Sequence, residues 1–68
     1  MDLATVIRWD EKADWGFLKP DRQPFNLYFN RAALKDVRQP ISVGARAKCD
    51  LDLDRGKRGH RARNVVLL

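Results

Sequence analysis

Sixty-eight residues make one domain, near the lower size limit at which a core supports itself, and leave little room for a deep substrate cavity as well. Surface recognition is therefore expected ahead of catalysis. The formal charge is +5, unevenly placed: residues 1–34 carry five basic and five acidic side chains, whereas residues 35–68 carry nine basic and four acidic ones. Nine of the fourteen basic residues are Arg, whose planar fork suits phosphate and stacks on bases. Such a balance favours an anionic partner, nucleic acid before an acidic membrane surface; a solvated basic surface with no partner is the plainer alternative.

No stretch sustains a helical period, and turn residues recur at intervals of about ten positions, a spacing that predicts an all-β barrel or sandwich. The first strand is expected over 3–9, followed by a turn from Asp10 to Asp14. Strict alternation from an inward Val6 would bury Arg8. A bulge near Ile7 resolves this by turning Arg8 outward and Trp9 partly inward. The second strand is expected over 14–19, a loop over Pro20 to Pro24, and the third strand over 26–30. Arg31 to Asp36 suits one short helical turn, and Gln39-Pro40 ends regular structure before the fourth strand. From Ala45 to Asp54 the chain alternates without exception, setting Ala45, Ala47, Cys49, Leu51 and Leu53 against Arg46, Lys48, Asp50, Asp52 and Asp54. A turn over 55–59 returns the chain through a fifth strand, His60 to Leu67. That register sets Asp54 opposite Gly59, Asp52 opposite Arg61, Asp50 opposite Arg63 and Leu51 opposite Ala62. Cross-strand ion pairs of roughly 0.2–1 kcal/mol each would follow, giving Arg61 and Arg63 carboxylate partners and discounting both as ligand contacts.

All six aromatic residues lie between positions 9 and 29. Side chains two apart on a strand share a face, so Trp15 and Phe17 point one way while Gly16 and Leu18 point the other. Likewise Tyr28 and Asn30 oppose Leu27 and Phe29. With the aliphatic faces inward, Trp15, Phe17 and Tyr28 form an outward platform suited to a flat ligand. The competing reading, three core aromatics, is weakened because their neighbours already supply a core face. Phe25, behind Pro24, suits a plug at a barrel end.

Catalytic and metal chemistry find no support. Asp50, Asp52 and Asp54 lack the glycine and the terminal Glu of a calcium loop, and lone His60 and Cys49 cannot make a zinc site. Ser42 is the sole serine, with no triad around it. No enzyme activity, cofactor or small-molecule substrate is expected. Cys49 reads as a small buried hydrophobe, and a single cysteine gives no sign of an oxidising compartment. The charged first twenty residues do not read as a signal peptide, and the longest apolar run, Val65 to Leu68, is too short to span a bilayer. A cytoplasmic protein without membrane attachment, monomeric or weakly dimeric, is the expectation.

Five antiparallel strands with aromatics on the second and third describe an oligonucleotide-binding (OB) barrel. The sequence also resembles a family. Ala4-Thr5-Val6 through Trp15-Gly16-Phe17-Leu18 is similar, without a gap, to the opening Gly-x-Val-Lys-Trp-Phe-Asn-x-x-Lys-Gly-Phe-Gly-Phe-Ile of bacterial cold-shock domains. Leu27 to Arg31 resembles that family's Val-Phe-Val-His-Phe, Val43-Gly44 its Glu-Gly, and Gly59 to Val65 its Gly-Pro-Gln-Ala-x-Asn-Val. The resemblance implies a single cold-shock-like OB-fold domain over residues 1–68. Its implied role is binding single-stranded RNA or DNA as an RNA chaperone or regulator of gene expression, with a weak preference for pyrimidine-rich strands.

The chain departs from the pattern at the edges of the platform. Arg8 stands at the family's first-strand Trp, with Trp9 at the Phe that follows. Ala13 and Asp14 stand at a Lys and a Gly, and Asn30 and Arg31 at the His and Phe that end the family's Val-Phe-Val-His-Phe segment. The expected nucleic-acid-binding set is Trp15, Phe17, Tyr28, Asn30, Arg8, Arg31, Trp9, Lys19 and Arg58. Lys57 and Arg58, at the last turn, either clamp a backbone or are simply solvated. The alternative function is an OB-fold protein-interaction module for ribosomal or transcription components, motivated by the altered platform and the apolar tail from Val65 to Leu68. A membrane-surface module lacks the amphipathic helix it would need.

Overall fold

The computed structural model describes residues 1–53 and 59–68. Its elements are β1 (Asp2–Asp10), β2 (Trp15–Pro20), β3 (Leu27–Asn30), a short 3-10 turn (Arg31–Ala33), β4 (Arg46–Asp52) and β5 (Arg61–Leu67). They close a five-stranded barrel in the order β1-β2-β3-β5-β4. No helix among the described residues is long and apolar enough to cross a membrane.

The sheet is mixed, which corrects the all-antiparallel expectation. Neighbouring strands can alternate in direction around a closed ring only if their number is even, so five strands force at least one parallel pair. Here that pair is β3 with β5, joined at Tyr28↔Arg61, with an isolated parallel bridge at Leu34↔Val65. Every other neighbouring pair is antiparallel.

The bulge expected near Ile7 is present. β1 steps from Val6↔Leu18 to Arg8↔Phe17, two residues against one, so Val6 lies in the core while Arg8 is exposed. Trp9 turns half inward and packs on Phe29 with ring centroids 5.2 Å apart. Gly16 makes this crossing possible: a Cβ there would fall 2.0 Å from the carbonyl oxygen of Arg8, so β1 and β2 could not approach. Asp14 takes a left-handed φ of 59°. The family it resembles has Gly at that position, and Asp is among the few residues that tolerate the conformation. Asp10 holds the turn by accepting hydrogen bonds from the Lys12 and Ala13 amides.

Inward alternation on β2, β3 and β4 builds the core from Leu18, Leu27, Phe29, Ala47 and Cys49, joined by Ala4, Val6 and Val65. The β4–β5 register is the expected one, with Asp52↔Arg61, Leu51↔Ala62 and Asp50↔Arg63; the Asp54–Gly59 pairing and the turn over 55–58 lie outside the described residues. The ion pairs are not the expected ones. Arg63 reaches diagonally to Asp52 at 3.2 Å, and the Asn64 amide donates to Asp50 at 2.8 Å. Long side chains span such diagonals readily. Asn64 itself sits at φ 52° in a second bulge, where β5 advances from Arg63 to Val66 while β4 retreats from Asp50 to Lys48. The extra residue lets both Ala62 and Val65 face inward.

Two further expectations are corrected. β4 ends at Asp52, leaving Leu53 outside the alternation and 51% exposed. The apolar tail is barrel wall, with Val65 and Leu67 buried in the core and only Leu68 fully exposed.

Candidate nucleic-acid interface

β2 and β3 pair in the register Trp15↔Asn30, Gly16↔Phe29 and Phe17↔Tyr28, which brings the three aromatics to one outward face. Each is half-buried, while Gly16, Leu18, Leu27 and Phe29 on the reverse are buried. Trp15 and Tyr28 lie nearly parallel, centroids 6.0 Å apart and planes 27° from each other. Phe17 meets both edge-on, at 5.5 Å from Trp15 and 6.4 Å from Tyr28. Phe17 thus stands nearly perpendicular to two rings whose faces share an orientation, a packed aromatic surface suited to flat groups.

The three centroids form a triangle, and an arginine covers two of its rings. The first bulge swings Arg8 over Trp15, its Cζ 5.3 Å from the ring centroid. Arg61 lies 5.1 Å from the centroid of Tyr28. Cation–π contacts of this kind contribute about 0.5–1 kcal/mol when exposed, so either guanidinium can leave its ring for a ligand at small cost. Arg61 is the residue that sequence reasoning missed. The β4–β5 register assigned it to Asp52, but Asp52 takes Arg63, and closure of the ring places Arg61 beside Tyr28. Its signal was the odd strand count, which forces β5 against β3.

The remaining expected residues differ in placement. Asn30 shares the face of Trp15 and Tyr28, but its side-chain oxygen accepts from the Ala33 amide at 3.2 Å and caps the 3-10 turn. Trp9 lies apart from the triangle, its Nε1 donating to Glu11 at 2.7 Å. The Lys19 ammonium donates to the carbonyls of Pro20 and Gln23 and ties down the β2–β3 loop. Arg31 is held most fully. Its Nε meets Asp14 at 3.1 Å, one terminal nitrogen donates to the carbonyls of Val37 at 3.0 Å and Gln39 at 3.3 Å, and the other lies 3.4 Å from Glu11. Its Cζ also lies 5.4 Å from the Trp9 centroid. Arg58 lies outside the described residues.

No protein-family model matches the chain, and no curated protein matches it. What the site can do must therefore be read from its own chemistry.

Beyond Tyr28 the barrel wall opens. β3 and β5 meet at Tyr28↔Arg61 and again at Leu34↔Val65, and between these points lies a groove of about 380 Å³. On the opposite flank of the platform, Phe25 packs against the core and against His60, ring centroids 4.2 Å apart.

Three shifted acidities lie away from the platform. Hydrogen bonding from Arg46, 2.7 Å away, holds the Asp21 carboxyl below the usual value, and the same contact raises Arg46. Burial pushes the Cys49 thiol up to about 11, which leaves it protonated and unreactive.

Proposed function

We propose that this chain is an OB-fold barrel of the cold-shock type that binds single-stranded RNA or DNA by stacking bases on Trp15, Phe17 and Tyr28. The observation that carries the reading is the outward triangle of three aromatic rings with an arginine over two of them. A base entering at Trp15 or Tyr28 replaces a guanidinium on the ring face. The displaced Arg8 or Arg61 then lies beside the incoming nucleotide, free to meet its phosphate or to stack on its outer side. Each stacked base contributes about 1–3 kcal/mol, so three give about 3–9 kcal/mol gross, the upper end of which corresponds to a dissociation constant of about 1 µM. Two phosphate contacts add a log–log salt slope of about −1.4.

Nothing in this arrangement distinguishes one base edge from another, so binding is sequence-tolerant over about four to seven nucleotides. Paired bases hide their faces, and duplex binds more weakly. A protein that holds unpaired strands in this way suits an RNA chaperone or a regulator of gene expression in the cytoplasm. Catalysis is not part of the proposal. Lys19 and Arg31 hold loops in it and are not ligand contacts.

Alanine substitution tests the reading. Tyr28→Ala and Phe17→Ala each weaken oligothymidine binding by about 1–3 kcal/mol, whereas Arg22→Ala, on the exposed β2–β3 loop, changes it by less than about twofold. No loss at Tyr28 or Phe17 while the strand still binds in a salt-dependent way would show that charge alone holds it.

A further inference from the structure

The groove between β3 and β5 follows from the topology and has no role in the stacking platform. A parallel pair with a single ladder contact leaves both strand edges unpaired past Tyr28↔Arg61. The chain spends six residues from Tyr28 to Leu34 in reaching the next bridge, while β5 spends four from Arg61 to Val65. The 3-10 turn fills part of that excess, and the groove is the rest. At about 380 Å³ it falls at the small end of ligand pockets, the size class of a single nucleotide.

Its lining carries one sign of charge. Lys35, Arg61 and Arg63 contribute three cations, Asn30 and Asn64 two amides, and no carboxylate lines it among the described residues. Arg63 pairs with Asp52 through its Nε alone and is 73% exposed in its side chain, so its terminal nitrogens carry no ion pair. Ala32 and Ala33 supply a small apolar shelf on the β3 side. A shelf flanked by cations and amides matches a nucleotide, whose base is flat and whose phosphate is anionic. The groove is also continuous with the platform, because Tyr28 and Arg61 belong to both.

We propose that this groove is a terminal nucleotide site: the strand runs from Trp15 across Phe17 and Tyr28, and its next nucleotide drops off the platform into the gap between β3 and β5. Lys35 and Arg63 meet its phosphate there, and the base lies against Ala32 and Ala33. The inference rests on the single-strand reading above and adds a direction to it. The footprint extends past β3 toward β5 and is not confined to the three bases above the aromatics.

The test is a length series of oligothymidines, from three to seven nucleotides, titrated into wild type, Lys35→Ala/Arg63→Ala and a control pair of the same charge, Arg22→Ala/Lys48→Ala, which does not line the groove. The wild type and the control gain affinity when the strand grows beyond the platform. The groove variant binds the trimer within about twofold of wild type, loses that gain, and shows a salt slope for the longer strands shallower by about 1.4. Lys35→Ala alone, which leaves the β4–β5 ion pair intact, loses about 0.7 of the slope and covers the case in which the double variant melts early. If the length gain is the same in all proteins while oligothymidine still binds, the groove inference fails and the platform stands. If no protein binds any length, the platform reading fails and takes the inference with it.

Discussion

On the proposed reading Arg31 holds the site in place and does not touch the ligand. The resemblance puts it where cold-shock domains have a Phe, and its charge invites a phosphate. In the structure its guanidinium is engaged with the β1–β2 turn through Glu11 and Asp14 and with the loop before β4 through the carbonyls of Val37 and Gln39. Arg31→Ala removes all of these together. The two ion pairs are with exposed carboxylates, 73% and 53% accessible, and contribute at most about 1 kcal/mol each. The carbonyl bonds come from a charged donor, about 1.5 kcal/mol for the shorter one, but both acceptors regain water once the side chain is gone. A loss of about 2 kcal/mol results, and a domain of this size loses about 4–8 °C per kcal/mol. The variant is therefore expected to melt about 8–16 °C lower by circular dichroism, while its affinity for oligothymidine, measured well below the new midpoint, stays within about twofold. An unchanged midpoint together with a tenfold loss of affinity would refute the reasoning and return Arg31 to the binding set.

Gly16→Ala places a Cβ on the Arg8 carbonyl, so β1 and β2 must separate; a loss of at least about 3 kcal/mol in denaturant unfolding is expected, in line with severe overpacking. The Asp21 carboxyl is held below its ordinary value of 3.8 by Arg46, so their contact stabilises the fold above that pH and is lost as pH falls through the lower folded value. Thermal melts should accordingly show a smaller acid-side drop for Asp21→Asn than for wild type. Cys49 runs in the opposite sense, because its raised value favours the fold while the thiol is protonated, and stability declines as pH rises from about 9 toward about 11. At pH 8 the folded protein should resist a soluble disulfide reagent, reacting only as fast as it unfolds. Rapid native-state labelling would contradict the buried placement.

Much of the fold was legible because local patterns carried it. Alternation through β4 fixed the β4–β5 register, since a slip of one residue would have put carboxylates in the core. The conflict between an inward Val6 and a charged Arg8 likewise demanded the bulge in β1. What alternation does not carry is how a sheet closes. The parallel β3–β5 contact is a property of the whole ring, and with it went the placement of Arg61 on Tyr28 and the groove beyond. Side-chain reach was the second blind spot. Register sets Asp50 opposite Arg63, yet Arg63 is long enough to take Asp52, and Asn64, turned by its own bulge, takes Asp50. The charge of Arg31 and Lys19 is visible in a sequence, whereas the loop carbonyls that engage them are not. The aromatic triangle needed only strand periodicity, and its three members stand together as expected.

The central claim is that unpaired bases stack on Trp15, Phe17 and Tyr28. Trp15 reports on that event directly, so the deciding measurement is tryptophan fluorescence of the wild-type protein titrated with single-stranded oligothymidine and with a duplex of equal length, at two salt concentrations. The account predicts quenching by the single strand with a dissociation constant of about 1 µM at low salt, weakening at higher salt, and a clearly weaker response to duplex. No quenching by single strand at about 10–100 µM, or equal affinity for duplex, would contradict it.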